Sequence, residues 1–290
     1  MPTFETPGPI ALELRVAVAN IRLTAGERAE TTVEVLPSDP ARKGDVAAAA
    51  QTLIEWSDGR LSVRDPSPWR HYGWWDKQRS VDVQIGLPRG SRVHCEAVMG
   101  GFESQGPLGE CTVTTGGGGI RVEQVGPARL ETGAGDVTAE RVHGPIEIKT
   151  GSGAVRVGSV DGAATIRNAN GATQIGVATG KVEVRAANGR ITVDRAQESV
   201  HARSALGDVE IGQVESGTVT AHTAAGRVEI GIRAGVAAWL DVTTKFGHVR
   251  NDLDTAEQPD GTLPTVEVHV HTGYGDIGIH RSAPGGAPEA

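Results

Sequence analysis

The sequence predicts an all-β chain: a β-solenoid (β-helix-like) of about ten 18-residue coils, preceded by an N-terminal β-rich cap containing one short helix. Three observations lead there. Glycines recur at a nearly constant step, apolar residues flank each of them at strand spacing, and the composition is rich in glycine and poor in aromatics. Glycine accounts for 40 of 290 residues, while Phe, Tyr and Trp together make only 10. That balance suits many tight turns around a thin core of small side chains.

The recurring glycines are Gly100, Gly118, Gly135, Gly153, Gly171, Gly189, Gly207, Gly226, Gly247 and Gly275, with 18 residues the commonest step. Seven and five residues before them run columns such as Ile146 and Ile148, Val182 and Val184, and Val268 and Val270. Two and four residues after them run Val155 and Val157, Ile191 and Val193, and Ile277 and Ile279. Spacing by two marks strands with one buried face. Each unit is therefore two short strands joined by a glycine turn, too small to close its own apolar face, so units must stack.

Three residues before each glycine lies a hydroxyl-rich column, including Thr115, Thr132, Thr150, Asn168, Ser204, Thr223, Thr244 and Thr272. It shares parity with the buried positions, which argues against an outward, ice-binding threonine face and for hydrogen bonds along the stack or into the turns.

Residues 1–92 read as a capping region. Leu12, Leu14, Val16, Ile21 and Leu23 imitate one coil without its glycine. A strand is expected at Thr32–Leu36, then a helix near 45–53 with Asp45 as its N-cap. Trp56-Ser57-Asp58-Gly59 reads as a hairpin turn, and Val81, Val83 and Ile85 as another strand. Residues 93–282 are the solenoid proper, and 283–290 read as a disordered tail.

These features resemble the bacterial "putative adhesin" domain family of β-strand-repeat proteins. The resemblance is carried by the opening Pro9–Leu14, the short helix, the passage Val81–Val93, and glycine units such as Gly135–Val137. It covers most of the chain. It implies a β-helix-like solenoid and brings no established active site.

A net charge of −8 opposes generic nucleic-acid binding. No apolar run reaches the roughly 20 residues of a membrane span, and the start, Met1–Glu5, lacks the basic and apolar regions of a secretory signal. The expected location is cytoplasmic. Cys95 and Cys111 fall in different inward columns and read as buried free thiols; no metal or other cofactor is expected.

Function is sought on the outward columns. Four residues before the glycines stand Lys149, Arg167, Arg185 and Arg203, then His222, Thr243 and His271. Cations about 4.8 Å apart repel unless an anion meets them, which points to an anionic polymer or an anionic membrane surface. Neutralisation by Glu147 and Glu183, two residues upstream, is the competing reading. A second candidate is the aromatic loop with Trp69, Trp74 and Trp75, fit to meet a membrane interface, a sugar or a protein partner, or simply to cover the cap. His269 and His271 share a strand face and suggest the start of a metal site, without a third ligand in register. Glu210 and Glu229 share an outward column and form a carboxylate pair of the kind glycoside chemistry uses, but alternating surface strands often generate such pairs and no long loops wall them into a cleft. The reading is a non-enzymatic binding or scaffold protein. Its alternatives are end-to-end self-assembly, motivated by the final strand pair around Val268–Ile279, and then a polysaccharide-active enzyme.

Overall fold

A computed structural model of the chain describes residues 2–66, 79–253 and 265–282. The chain is nearly all β and divides into two compact units: Met1–Gly144 with Lys149–Gly151, and Pro145–Ile148 with Ser152–Ala290. The predicted solenoid architecture holds in both. Each coil contributes one strand to each of two parallel stacks, and the glycine turn carries the chain from one stack to the other.

In the second unit, one stack runs Ala164–Asn170, Val182–Asn188, Val200–Leu206 and Gly217–Ala225, all parallel and in register. The other runs Val155–Val160, Thr173–Ala178, Ile191–Ala196, Val209–Val214 and Val228–Ile232. The flanking columns point inward: Val182, Val184, Ile191, Val193, Val200 and Val209 are fully buried. Each such Val or Ile stabilises the fold by roughly 1.5–3 kcal/mol.

The turn glycines are required twice over. Gly207 has φ 145°, a region closed to residues with a Cβ, and a Cβ there would run into the carbonyl of Gly189 in the preceding coil. The hydroxyl column explains what holds these turns together. Thr132 Oγ1 donates to the Gly118 carbonyl at 3.0 Å, and Thr223 Oγ1 to the Gly207 carbonyl at 3.0 Å. Asn168 Nδ2 does the same toward Gly153 at 3.1 Å. Apart from the half-buried Thr244 of the end coil, these side chains are buried, as their parity predicts, so they present no hydroxyl face to solvent. The aspartate after the glycine in the G-D-V units fastens the next turn: Asp208 Oδ1 accepts from the Arg227 amide at 2.9 Å.

The order of coils at the end of the second unit departs from the sequence order. Strand Thr265–Tyr274 pairs directly with Gly217–Ala225, and Ala237–Phe246 pairs with the far side of Thr265–Tyr274. The opposite stack repeats the exchange, with Ile277–Arg281 between Val228–Ile232 and Val249–Asn251. The turns agree: Thr272 Oγ1 donates to the Gly226 carbonyl at 3.1 Å, and Thr244 Oγ1 to the Gly275 carbonyl at 3.0 Å. Among the described residues the outermost strands are therefore Ala237–Phe246 and Val249–Asn251, not the pair around Val268–Ile279. The long connection before Thr265 gives the chain enough length to step back across one coil.

The first unit shows the same device at its own outer end. Strand Ala11–Gly26 is one continuous coil: its first half lies between Arg60–Arg64 and Arg92–Met99, its second between Val81–Pro88 and Phe102–Pro107. Beyond it, Leu53–Ser57 folds antiparallel onto Arg60–Arg64 through Asp58 and Gly59, both at positive φ, the hairpin expected from the sequence. Glu30–Pro37 pairs antiparallel with Val81–Pro88, and Thr3–Glu5 with Glu30–Pro37. The rings of Phe4 and Trp56 stack at 5.6 Å across this end.

The helix spans Lys43–Gln51, so Asp45 lies in its first turn and is not its N-cap. Its carboxylate is buried and accepts from the amides of Asp39 at 3.1 Å and Ser80 at 3.0 Å, tying the helix to the loop and strand beside it. Cys95 and Cys111 are buried and free, diagonal to one another on adjacent strands.

Candidate functional site

The outer face of the first stack in the second unit carries the column of interest. Strand pairing puts Arg167 opposite Arg185, Arg185 opposite Arg203, Arg203 opposite His222, and His222 opposite His271. Adjacent strands lie about 4.8 Å apart, so the five side chains form a continuous row. All three arginines are exposed. Arg185 reaches Glu183 at 2.8 Å; among the described residues neither Arg167 nor Arg203 has a carboxylate at that range. Local neutralisation thus acts on one cation of the three. Lys149 belongs to the first unit, half-buried and engaged with its own surroundings.

The exchange of coils is what brings His271 beside His222. In sequence order Thr243 separates them; in the structure their rings stack, centroids 5.2 Å apart with 9° between planes. Burial pushes the His222 pKa below the usual histidine value, and His271 and Arg203 push it further the same way. His201, one column over, is lowered for the same kinds of reason: burial first, then Lys181. The row is thus three permanent cations followed by the two rings, of which His222 is held neutral to a lower pH than usual.

Beside the histidines lies an open groove of about 380 Å³, lined by Arg203, Thr220, His222, Asp241, His269 and His271. His269 Nδ1 sits 3.5 Å from Asp241, and its ring meets that of Trp239 edge to face, with centroids 5.3 Å apart. The register that the sequence did not reveal thus gathers three histidines on one face. Among the described residues, no group of three or more His, Cys, Asp or Glu is arranged to hold a metal ion. The signal for this gathering was the 28-residue step before Gly275, together with the acidic, proline-containing insert Leu253–Pro264.

The other stack has a different character. Glu210 lies opposite Glu229 as expected, and Glu229 approaches His280 at 3.9 Å. The same column holds Arg156, Gln174 and Thr192, so its charge is neither continuous nor of one sign. Trp69, Trp74 and Trp75 lie outside the described residues. No helix among the described residues is long and apolar enough to cross a membrane.

Comparison with known proteins gives a family and several solved structures that align over nearly the whole chain at low identity. The family described as Toastrack DUF4097 matches residues 10–280. A "putative adhesin" from Bacteroides fragilis NCTC 9343 aligns at 13% identity, over 96% of this chain and 95% of that chain, with a TM-score of 0.39. A "putative adhesin" from Parabacteroides merdae ATCC 43184 aligns at 13% identity over 96% and 94%, TM-score 0.31. A "putative lipid binding protein" from Parabacteroides distasonis ATCC 8503 aligns at 11% identity over 97% and 96%, TM-score 0.29. No curated protein matches the chain.

Proposed function

We propose that this chain, which belongs to the Toastrack DUF4097 family, is a non-enzymatic binding and scaffold protein that engages a repeating anionic surface, polymer or membrane. The observation that supports this reading is the exposed row Arg167, Arg185 and Arg203, in register on adjacent strands and continued by His222 and His271. Each exposed contact is worth less than about 1 kcal/mol alone. A ligand whose charges repeat on a similar scale meets several at once, and the contacts then reinforce one another. The strands hold the backbone of the row at fixed spacing, so the cost of ordering on binding falls on the arginine side chains alone.

Lys149 in the first unit, and Trp69, Trp74 and Trp75 in the segment outside the described residues, are proposed as additional contacts. Residues 1–92 are proposed to serve as the cap and 93–282 as the binding region.

Co-sedimentation with anionic and with neutral vesicles, at low and at moderate salt, tests the reading; a soluble polyanion as competitor separates polymer from membrane. Pelleting confined to anionic vesicles and weakened by salt is the expected result. Charge reversal at Arg167, Arg185 and Arg203 to Glu should abolish it while the fold persists. Equal binding by that variant would sink the proposal.

A further inference from the structure

The outermost coil of the second unit ends on a long strand with an unused edge. Ala237–Phe246 pairs on one side with Thr265–Tyr274. Among the described residues no strand occupies its other side. It is ten residues long, roughly 33 Å of parallel edge, and contains no proline. An edge of this kind invites a further strand unless something blocks it. Its inward positions Leu240, Val242 and Thr244 are only half-buried, where the same columns elsewhere are closed. Large apolar groups crowd it as well: Trp239 is 55% exposed, Phe246 61% and Tyr274 62%, with the last two rings stacked at 4.8 Å.

Its charges indicate the occupant. The strand carries one carboxylate, Asp241, and one ammonium, Lys245, both outward and four residues apart. A blocked edge commonly carries proline, a bulge or inward-pointing charges, none of which this strand has. Here an antiparallel partner of the same sequence, centred on Thr243, sets each Asp241 opposite Lys245 of the second copy. The same register puts Leu240 opposite Phe246 and Val242 opposite Thr244, so that half-buried and exposed apolar groups cover one another.

We propose that the outer edge of Ala237–Phe246 pairs antiparallel with the same strand of a second copy, closing a two-fold dimer through reciprocal Asp241–Lys245 contacts. The contact is isologous and self-terminating. A head-to-tail chain of copies would need a second open edge. Among the described residues the first unit offers none to match in length or direction: Leu53–Ser57 and Thr3–Glu5, five and three residues long, lie antiparallel to their neighbours there. The pairing also sets the His222–His271 rows of the two copies in one line.

Sedimentation velocity of the full chain over a wide concentration range tests this, with circular dichroism confirming that each variant is folded. The wild type should pass from monomer to dimer and no further. Asp241→Lys and Lys245→Glu should each weaken the dimer roughly tenfold, because both replace attraction by repulsion at two symmetric contacts. The double variant, and an equimolar mixture of the two single variants, should restore it. A monomer at every concentration would overturn the proposal. So would a dimer indifferent to both single variants, or open-ended growth to larger species. Protection from hydrogen exchange, in a monomer, of those Ala237–Phe246 amides that point away from Thr265–Tyr274 would show instead that the chain covers this edge itself, and would equally overturn it.

Discussion

His222 and His271 stack face to face, 5.2 Å between centroids, although a complete coil separates them along the chain. The contact exists because the last coil of the sequence is inserted beneath the one before it. Two rings whose charges would repel are thereby placed at the end of a row of arginines, and this sets how the molecule answers to pH.

The pKa of His222 in the folded chain lies below the usual histidine value, chiefly through burial. Above the unfolded value of about 6.5 both states are neutral and nothing is lost. As pH falls below it the unfolded chain takes up the proton first, so stability declines until the folded-state value is passed. The thermal midpoint should therefore drop between about pH 7 and pH 5, and His222→Gln should shrink that drop. An identical pH profile in the variant would remove His222 from the account. Binding to anionic vesicles should move the other way, strengthening on acidification as the row gains charge.

Gly207→Ala should destabilise the chain by more than about 2 kcal/mol, combining a forbidden φ with a collision against a backbone carbonyl. Gly59 supplies the comparison. It too has positive φ, but a Cβ there meets open space, so Gly59→Ala should cost only the strain, about 1 kcal/mol. Chemical denaturation of both variants measures the difference, and equal losses would contradict the stacking requirement.

Thr223→Val keeps the volume and removes the hydrogen bond to the Gly207 carbonyl. Leaving that group without its partner should cost about 1–3 kcal/mol. Thr192→Val, on the outward face of the other stack, should be nearly neutral by the same denaturation assay.

Burial pushes the Cys111 thiol up to about 12 and raises Cys95 as well, in part because the two lie close together. Neither should react with a thiol reagent at pH 8 while the chain is folded, since the thiolate is the reactive form. Both should react once denaturant is added. Rapid labelling of the native protein would show that this region opens locally.

Much of this architecture was legible in the residues because glycine and parity fix it. Val182, Val184, Ile191 and Val193 could point only inward, and Thr223 shares their parity, so the inward hydroxyl column followed. The order of the last two coils was not legible, for a physical reason. Leu240, Val242 and Thr244 present the same inward pattern as Val268, Val270 and Thr272, so either coil fits against Gly217–Ala225. The same ambiguity hid the place of Ala11–Gly26, whose pattern marks it as a coil without naming its neighbours. Asp45 misled in another way. An aspartate before an apolar run reads as a cap, yet two amides outside the helix claimed its carboxylate. The arginine row was legible as a column; its continuation from His222 into His271 depended on the unreadable exchange.

That exchange has a consequence for how the molecule is made. A ribosome delivers Ala237–Phe246 before Thr265–Tyr274, and at that moment the edge of Gly217–Ala225 stands open to it. The earlier strand carries every inward residue needed to dock there. It must nevertheless leave room for a successor that has yet to be translated. The native arrangement of these coils is thus decided only once Thr265–Tyr274 has been made, by competition between two near-equivalent coils for one berth, and any change that slows the arrival of the later coil gives the earlier one longer to occupy the wrong place.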